Sequence, residues 1–130
     1  LINAMNKTNK DALLKAHNLT DKQLRAIADS DGMVGLNFAS AFLREDGNML
    51  ADVSLCQMLK HIDYLLEILG EDRVGLGSDY DGAVMPEKLT DLSGLPNLRC
   101  AMKQHGYDEK IIKKICHENW LRFLHKTCGC

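Results

Sequence analysis

The sequence carries no excess of positive charge: 16 Lys+Arg stand against 18 Asp+Glu, a net charge of −2 at pH 7. Without a basic field there is nothing to hold a phosphate backbone, so nucleic acid is excluded as a partner. Long apolar runs are also missing. The longest are about four residues, far short of the ~20 that span a bilayer, and the N-terminus lacks a charged-then-apolar signal pattern. The chain is therefore expected to enter no membrane. No CxxC pair occurs among the five cysteines (Cys56, Cys100, Cys116, Cys128 and Cys130), whose number is odd and spacing irregular. That argues against a disulfide framework and a zinc finger, and for reduced thiols in the cytoplasm.

What is present is ordinary globular material: 45% hydrophobic and 26% charged residues in 130, the size of one small domain or a piece of a larger one. Residues 1–5, Leu1-Ile2-Asn3-Ala4-Met5, look like a non-native leader, leaving 6–130 as the folded unit. Thr20-Asp21-Lys22-Gln23 spells a capping box, followed by Leu24, Ile27 and Ala28 at helical spacing and a stop at Asp31-Gly32. Met33-Val34-Gly35-Leu36-Asn37-Phe38 is a short non-alternating apolar run, the pattern of a strand buried on both faces in a parallel sheet. Residues 39–52 read as loop. A long helix follows, with Leu55, Leu59, Ile62, Leu65, Leu66 and Leu69 on one face and Gly70 closing it.

A second strand, Val74-Gly75-Leu76-Gly77-Ser78-Asp79, ends on an acid, and 80–95 read as loop. Pro96 suits the first turn of a helix that runs to His105-Gly106, Asp108 caps the next, and helix continues from Glu118 to His125. The order helix–strand–helix–strand–helices implies an α/β fold of parallel βα units. Two parallel strands do not stand alone, so the expected architecture is the C-terminal part of a (β/α)8 TIM-type barrel, completed by self-association or by a missing N-terminal part.

Asp79 is the strongest candidate for chemistry. It closes a buried strand, and barrel active sites are built at the C-terminal strand ends. The alternative, an acid turning the following loop, fits Asp81 better. Gly75-x-Gly77 lacks the third glycine of a dinucleotide site and is read as a place of close packing. His61-Ile62-Asp63 falls inside the long helix, where residues two apart diverge, so it is not a metal pair. His105 reads as a helix-end cation, and His117 and His125 as surface or partly buried helix residues. The scattered methionines (Met33, Met49, Met58, Met85, Met102) read as core fillers. Trp120, Phe123 and Leu124 are expected to anchor the last helix, with Arg122 solvated.

Asn18-Leu19-Thr20-Asp21-Lys22-Gln23-Leu24, Gly35-Leu36-Asn37-Phe38 and Val74-Gly75-Leu76-Gly77-Ser78-Asp79-Tyr80-Asp81-Gly82 together resemble the membrane (renal-type) dipeptidase family. Glu118-Asn119-Trp120-Leu121-Arg122-Phe123 is similar to that family's closing helix, and the likeness runs in order from about residue 12 to 125. The resemblance implies a zinc-dependent barrel amidohydrolase that cleaves dipeptides with two metal ions bridged by a carboxylate. The family's acid at the last strand end matches Asp79, which would orient the attacking water or pass its proton to the leaving amine.

The same resemblance implies that most of the metal site is not in this chain. The family's HxD pair, bridging Glu and first metal-binding His would lie upstream of residue 1. Its second metal-binding His would fall near Asn6, a poor zinc ligand, and its substrate-carboxylate Arg at His17, a weaker and pH-dependent anion partner. The expectation is a C-terminal fragment of a zinc dipeptidase with Asp79 catalytic, His17 substrate-binding, no metal ligands of its own, no tight zinc binding and no activity alone. The alternatives are a non-enzymatic remnant that self-associates, or a complementing half of a split dipeptidase whose partner chain finishes the barrel.

Overall fold

The structure is a computed structural model and describes residues 19–129. Helix α1 (Asp21–Asp29) opens with the expected capping box: Thr20 Oγ1 accepts from the Gln23 backbone N–H, and the Gln23 side chain takes the Thr20 N–H. Strand β1 (Val34–Asn37) follows, then a single helical turn α2 (Ser40–Leu43) inside the segment read as loop. Helix α3 (Leu55–Leu69) has a second capping box, Ser54 with Gln57, and ends at Gly70, whose φ of +79° favours glycine. Strand β2 (Val74–Gly77) lies parallel to β1 with Val34 opposite Val74 and Asn37 opposite Gly77.

Two 3₁₀ turns, Glu87–Leu89 and Leu92–Gly94, interrupt the next loop. Helix α4 (Leu95–His105) carries Pro96 in its first turn and stops at Gly106. The Asp108 side chain caps α5 (Glu109–Lys113) by accepting from Ile111 N–H, and a π-helical stretch, Lys114–Glu118, leads into α6 (Asn119–Cys128). The α/β reading and the parallel pair are thus what the chain forms.

The core sits between the strands and the helices. Leu36, Met58, Ile62, Leu98, Met102 and Ile115 belong to one cluster, and Leu24, Tyr64, Leu69 and Val74 to a second. Side chains alternate along a strand, so Gly35, Gly75 and Gly77 lie on the face opposite Leu36 and Leu76. Trp120 lies there: a Cβ on Gly75 would stand 2.4 Å from Trp120 Nε1, and one on Gly35 3.1 Å from its Cζ2. The indole N–H donates to Leu76 O at 2.9 Å. Gly75 is therefore a packing glycine, as read, and Gly35 is another; a Cβ on Gly77 would meet only ordinary contact, at 3.5 Å from Gly35, so that half of the reading does not hold.

Several expectations need correction. The strands are not buried throughout: in β1 only Leu36 is buried, in β2 only Val74 and Gly75, because the sheet ends after two strands among the described residues. The buried face of α3 runs through Met58, Leu59, His61, Ile62, Tyr64 and Leu69, the packing of α1 with Leu24 covering Tyr64 and Leu69, while Leu55, Leu65 and Leu66 are only partly covered. Met49 lies in an exposed loop, and Leu124 is 49% exposed and so no anchor. Arg122 is more than a solvated cation: its side chain is 39% exposed, but its Nη2 donates to Asp72 O at 2.6 Å. The proposed leader, Asn6, His17 and Cys130 lie outside the described residues.

Candidate functional site

A polar residue stands at the C-terminal end of β1 and another just past that of β2. Asn37 closes β1, and Asp79 stands two residues past Gly77, its partner in register. Asn37 Nδ2 donates to Asp79 Oδ2 at 3.0 Å, and Asn37 Oδ1 accepts from Ala39 N–H at 2.7 Å. Behind this bond, Phe38 and Tyr80 meet edge to face, with ring centroids 5.8 Å apart and planes at 71°. Phe38 is buried, and burial pushes the Tyr80 hydroxyl up, with Asp91 adding to the effect; that hydroxyl donates to Asp91 O.

Asp79 and Asp81 both take left-handed backbone angles, φ +58° and +65°. Aspartate tolerates that region better than most residues. The Gly82 N–H closes the turn on Asp79 O at 3.2 Å, which puts Asp81 inside the turn, where the sequence reading placed it. The Asp79 side chain is left exposed at the strand ends. The structure thus leaves the Asp79 carboxylate open at the C-terminal end of the sheet. What the sequence reading missed is Asn37, although the signal was there: a polar residue ends each of two apolar runs.

The other ionisable residues singled out do not join this site. His61 is buried in α3, and its Nε2 contacts Leu43 O at 3.2 Å. Asp63 points elsewhere, accepting from Tyr107 Oη and meeting His105 Nε2 at 2.8 Å, so the two ends of the HxD string diverge as expected. His105 is more than a helix-end cation: with Tyr107 it ties α4 and α5 to α3. These groups line a groove of about 520 Å³ together with Leu66, Glu71 and Ile111. Glu71 precedes β2, so the groove lies at the end of that strand opposite Asp79, and its carboxylate is paired with Lys114 at 2.6 Å.

The zinc pair that the family resemblance implies was tested against the donor set. Among the described residues no three His, Cys, Asp or Glu side chains come together to hold a metal ion. At the strand ends, Asp79 Oδ2 is already engaged by a neutral amide. The described residues do not fit a binuclear centre.

A two-stranded parallel βαβ unit with an acid at its C-terminal edge is the pattern of a segment of an α/β barrel, and comparison narrows it. The membrane dipeptidase family model (peptidase family M19) matches residues 5–128, and the chain belongs to that family. It is 52% identical over 107 residues to an uncharacterised protein encoded in the pqqA 5′ region of Klebsiella pneumoniae, covering 82% of this chain and 40% of that protein. Among solved structures it is similar to dipeptidase AC, a metallopeptidase of family M19, with 53% identity and a TM-score of 0.84, over 87% of this chain and 33% of that one. It is also similar to a Rhodobacter sphaeroides metallopeptidase bound to a phosphinate mimic of the dipeptide L-Ala-D-Ala. There the identity is 55% and the TM-score 0.83, over 85% of this chain and 31% of that one. The chain thus spans about a third of the length of these structures.

Proposed function

We propose that this chain supplies the last two βα units of a metallodipeptidase barrel, with Asp79 moving the proton that peptide-bond hydrolysis requires. The observation that carries this reading is the exposed Asp79 carboxylate, held by Asn37 at the C-terminal end of β2 within a segment that overlays family M19 dipeptidases. An acid at that end of a barrel strand lies where substrate meets the loops. The same carboxylate can take a proton from an attacking water and give it to a leaving amine. The metals of such an enzyme would be zinc, held by residues other than those described here, and the substrate a dipeptide. Alone, the chain would neither turn over nor bind two zinc ions tightly. The free thiols of Cys56, Cys100 and Cys116 fit a reducing, cytoplasmic setting.

The test is a graft. Residues 19–129 replace the corresponding segment of the Rhodobacter sphaeroides metallopeptidase, and hydrolysis of L-Ala-D-Ala is followed beside metal content. Turnover by the chimera, its loss in Asp79→Asn and no turnover by the chain alone are expected. A folded, metal-loaded chimera without activity, or one indifferent to Asp79→Asn, would sink the reading. The second reading, self-association, is favoured by one observation: each strand of the sheet has an edge without a strand partner among the described residues.

A further inference from the structure

We infer that Asn37 is a positioning residue for Asp79, an inference that rests on the dipeptidase reading and adds a residue to its site. The amide is fixed at both ends. Its Oδ1 accepts the Ala39 N–H at 2.7 Å, which only the carbonyl end of the amide can do, and this turns Nδ2 toward Asp79 Oδ2 at 3.0 Å. The residues that follow the two partners, Phe38 and Tyr80, are locked edge to face, so the strand ends carrying the pair move together. Asn37 thus holds Asp79 through a neutral donor that brings no charge and no exchangeable acid of its own.

The second carboxylate oxygen is kept clear in a different way. A Cβ on residue 82 would stand 2.7 Å from Asp79 Oδ1, and Gly82 has none. One oxygen is therefore tethered and the other is left for the reacting proton. Asp79 also sits in a left-handed backbone conformation, φ +58°, with the turn behind it closed by the Gly82 N–H. Left-handed geometry at a non-glycine residue persists where the surroundings hold it, and the Asn37 bond is one such constraint.

The decisive substitution is Asn37→Asp, which keeps an acceptor for Ala39 N–H but turns a second carboxylate toward Asp79. In the active chimera, kcat should fall about 10–100-fold while KM changes little, as for lost support of a catalytic group. The acid limb of the pH profile should move up by about one unit, because two facing carboxylates resist joint ionisation. Asn37→Ala should lower kcat without moving that limb as far.

A second readout does not depend on activity. In the 130-residue chain the side-chain amide resonances of Asn37 should move in Asp79→Ala and stay in place in Asp81→Ala. Unchanged kcat and pH profile in Asn37→Asp, or an Asn37 amide indifferent to Asp79→Ala, overturns the inference. Should the wild-type chimera fold with metal and fail to turn over, the dipeptidase reading falls, and the amide resonances alone decide whether Asn37 holds Asp79.

Discussion

His61 shows what a single buried side chain does to the whole stability curve. Burial holds its imidazole below the ordinary value of 6.5, and the contact with Leu43 O opposes that shift only in part. The unfolded chain therefore binds more protons than the folded one at mildly acid pH, so stability rises with pH there. His61's contribution is complete above about 6.5 and is lost as pH falls through the folded value. Denaturant midpoints taken between pH 7.5 and pH 5 should fall for the wild type and fall less for His61→Gln; equal slopes would remove His61 from the account. The depressed carboxylates Asp31, Asp72 and Asp91 act in a lower window, because their ordinary value is 3.8. Asp79 was legible at this scale because an acid ending an apolar run is conspicuous. Asn37 carried the weaker signal, a neutral polar end to an apolar run, and its bond to a partner 42 residues away follows from no local pattern.

Between elements, the last helix is held to the sheet by polar bonds as much as by apolar contact. Asn119, buried at the start of α6, donates to both Glu71 O and Val74 O at 2.8 Å. Arg122 reaches Asp72 O one turn on, and Lys126 pairs with Asp31. Cutting Asn119 back to alanine removes two buried bonds and leaves two carbonyls short of a partner. A loss of about 2–3 kcal/mol follows, to be read from chemical denaturation. A cost below about 0.5 kcal/mol would show that water takes over those carbonyls. Capping residues made the helix boundaries legible: Thr20, Gly70, Gly106 and Asp108 all act as their types predict. The Asp63–His105–Tyr107 link between α3, α4 and α5 was illegible, because it joins residues more than 40 apart that share no local pattern.

For the molecule as a whole, the open question for solution behaviour is what meets the outer sides of a two-stranded parallel sheet. Strand edges without a partner among the described residues, and the exposed Leu121 and Leu124 of α6, favour association of copies. Sedimentation should give a mass of at least twice 14.5 kDa at micromolar concentration; a well-folded species at 14.5 kDa would end the self-association reading. The fold class was legible because short non-alternating apolar runs separated by helices have few other solutions. The partial covering of those runs was not, since burial on a second face depends on further strands, which the sequence pattern presupposes and which are not found among the described residues. The indole of Trp120 gives the molecule a built-in optical gauge of that state. As the chain's single tryptophan, carried by α6, lying over Gly35 and Gly75 and bonded to Leu76 O, its emission colour and quenching report whether the last helix is docked on the sheet. A red-shifted, readily quenched signal means that the helix and the sheet have come apart, with no label required.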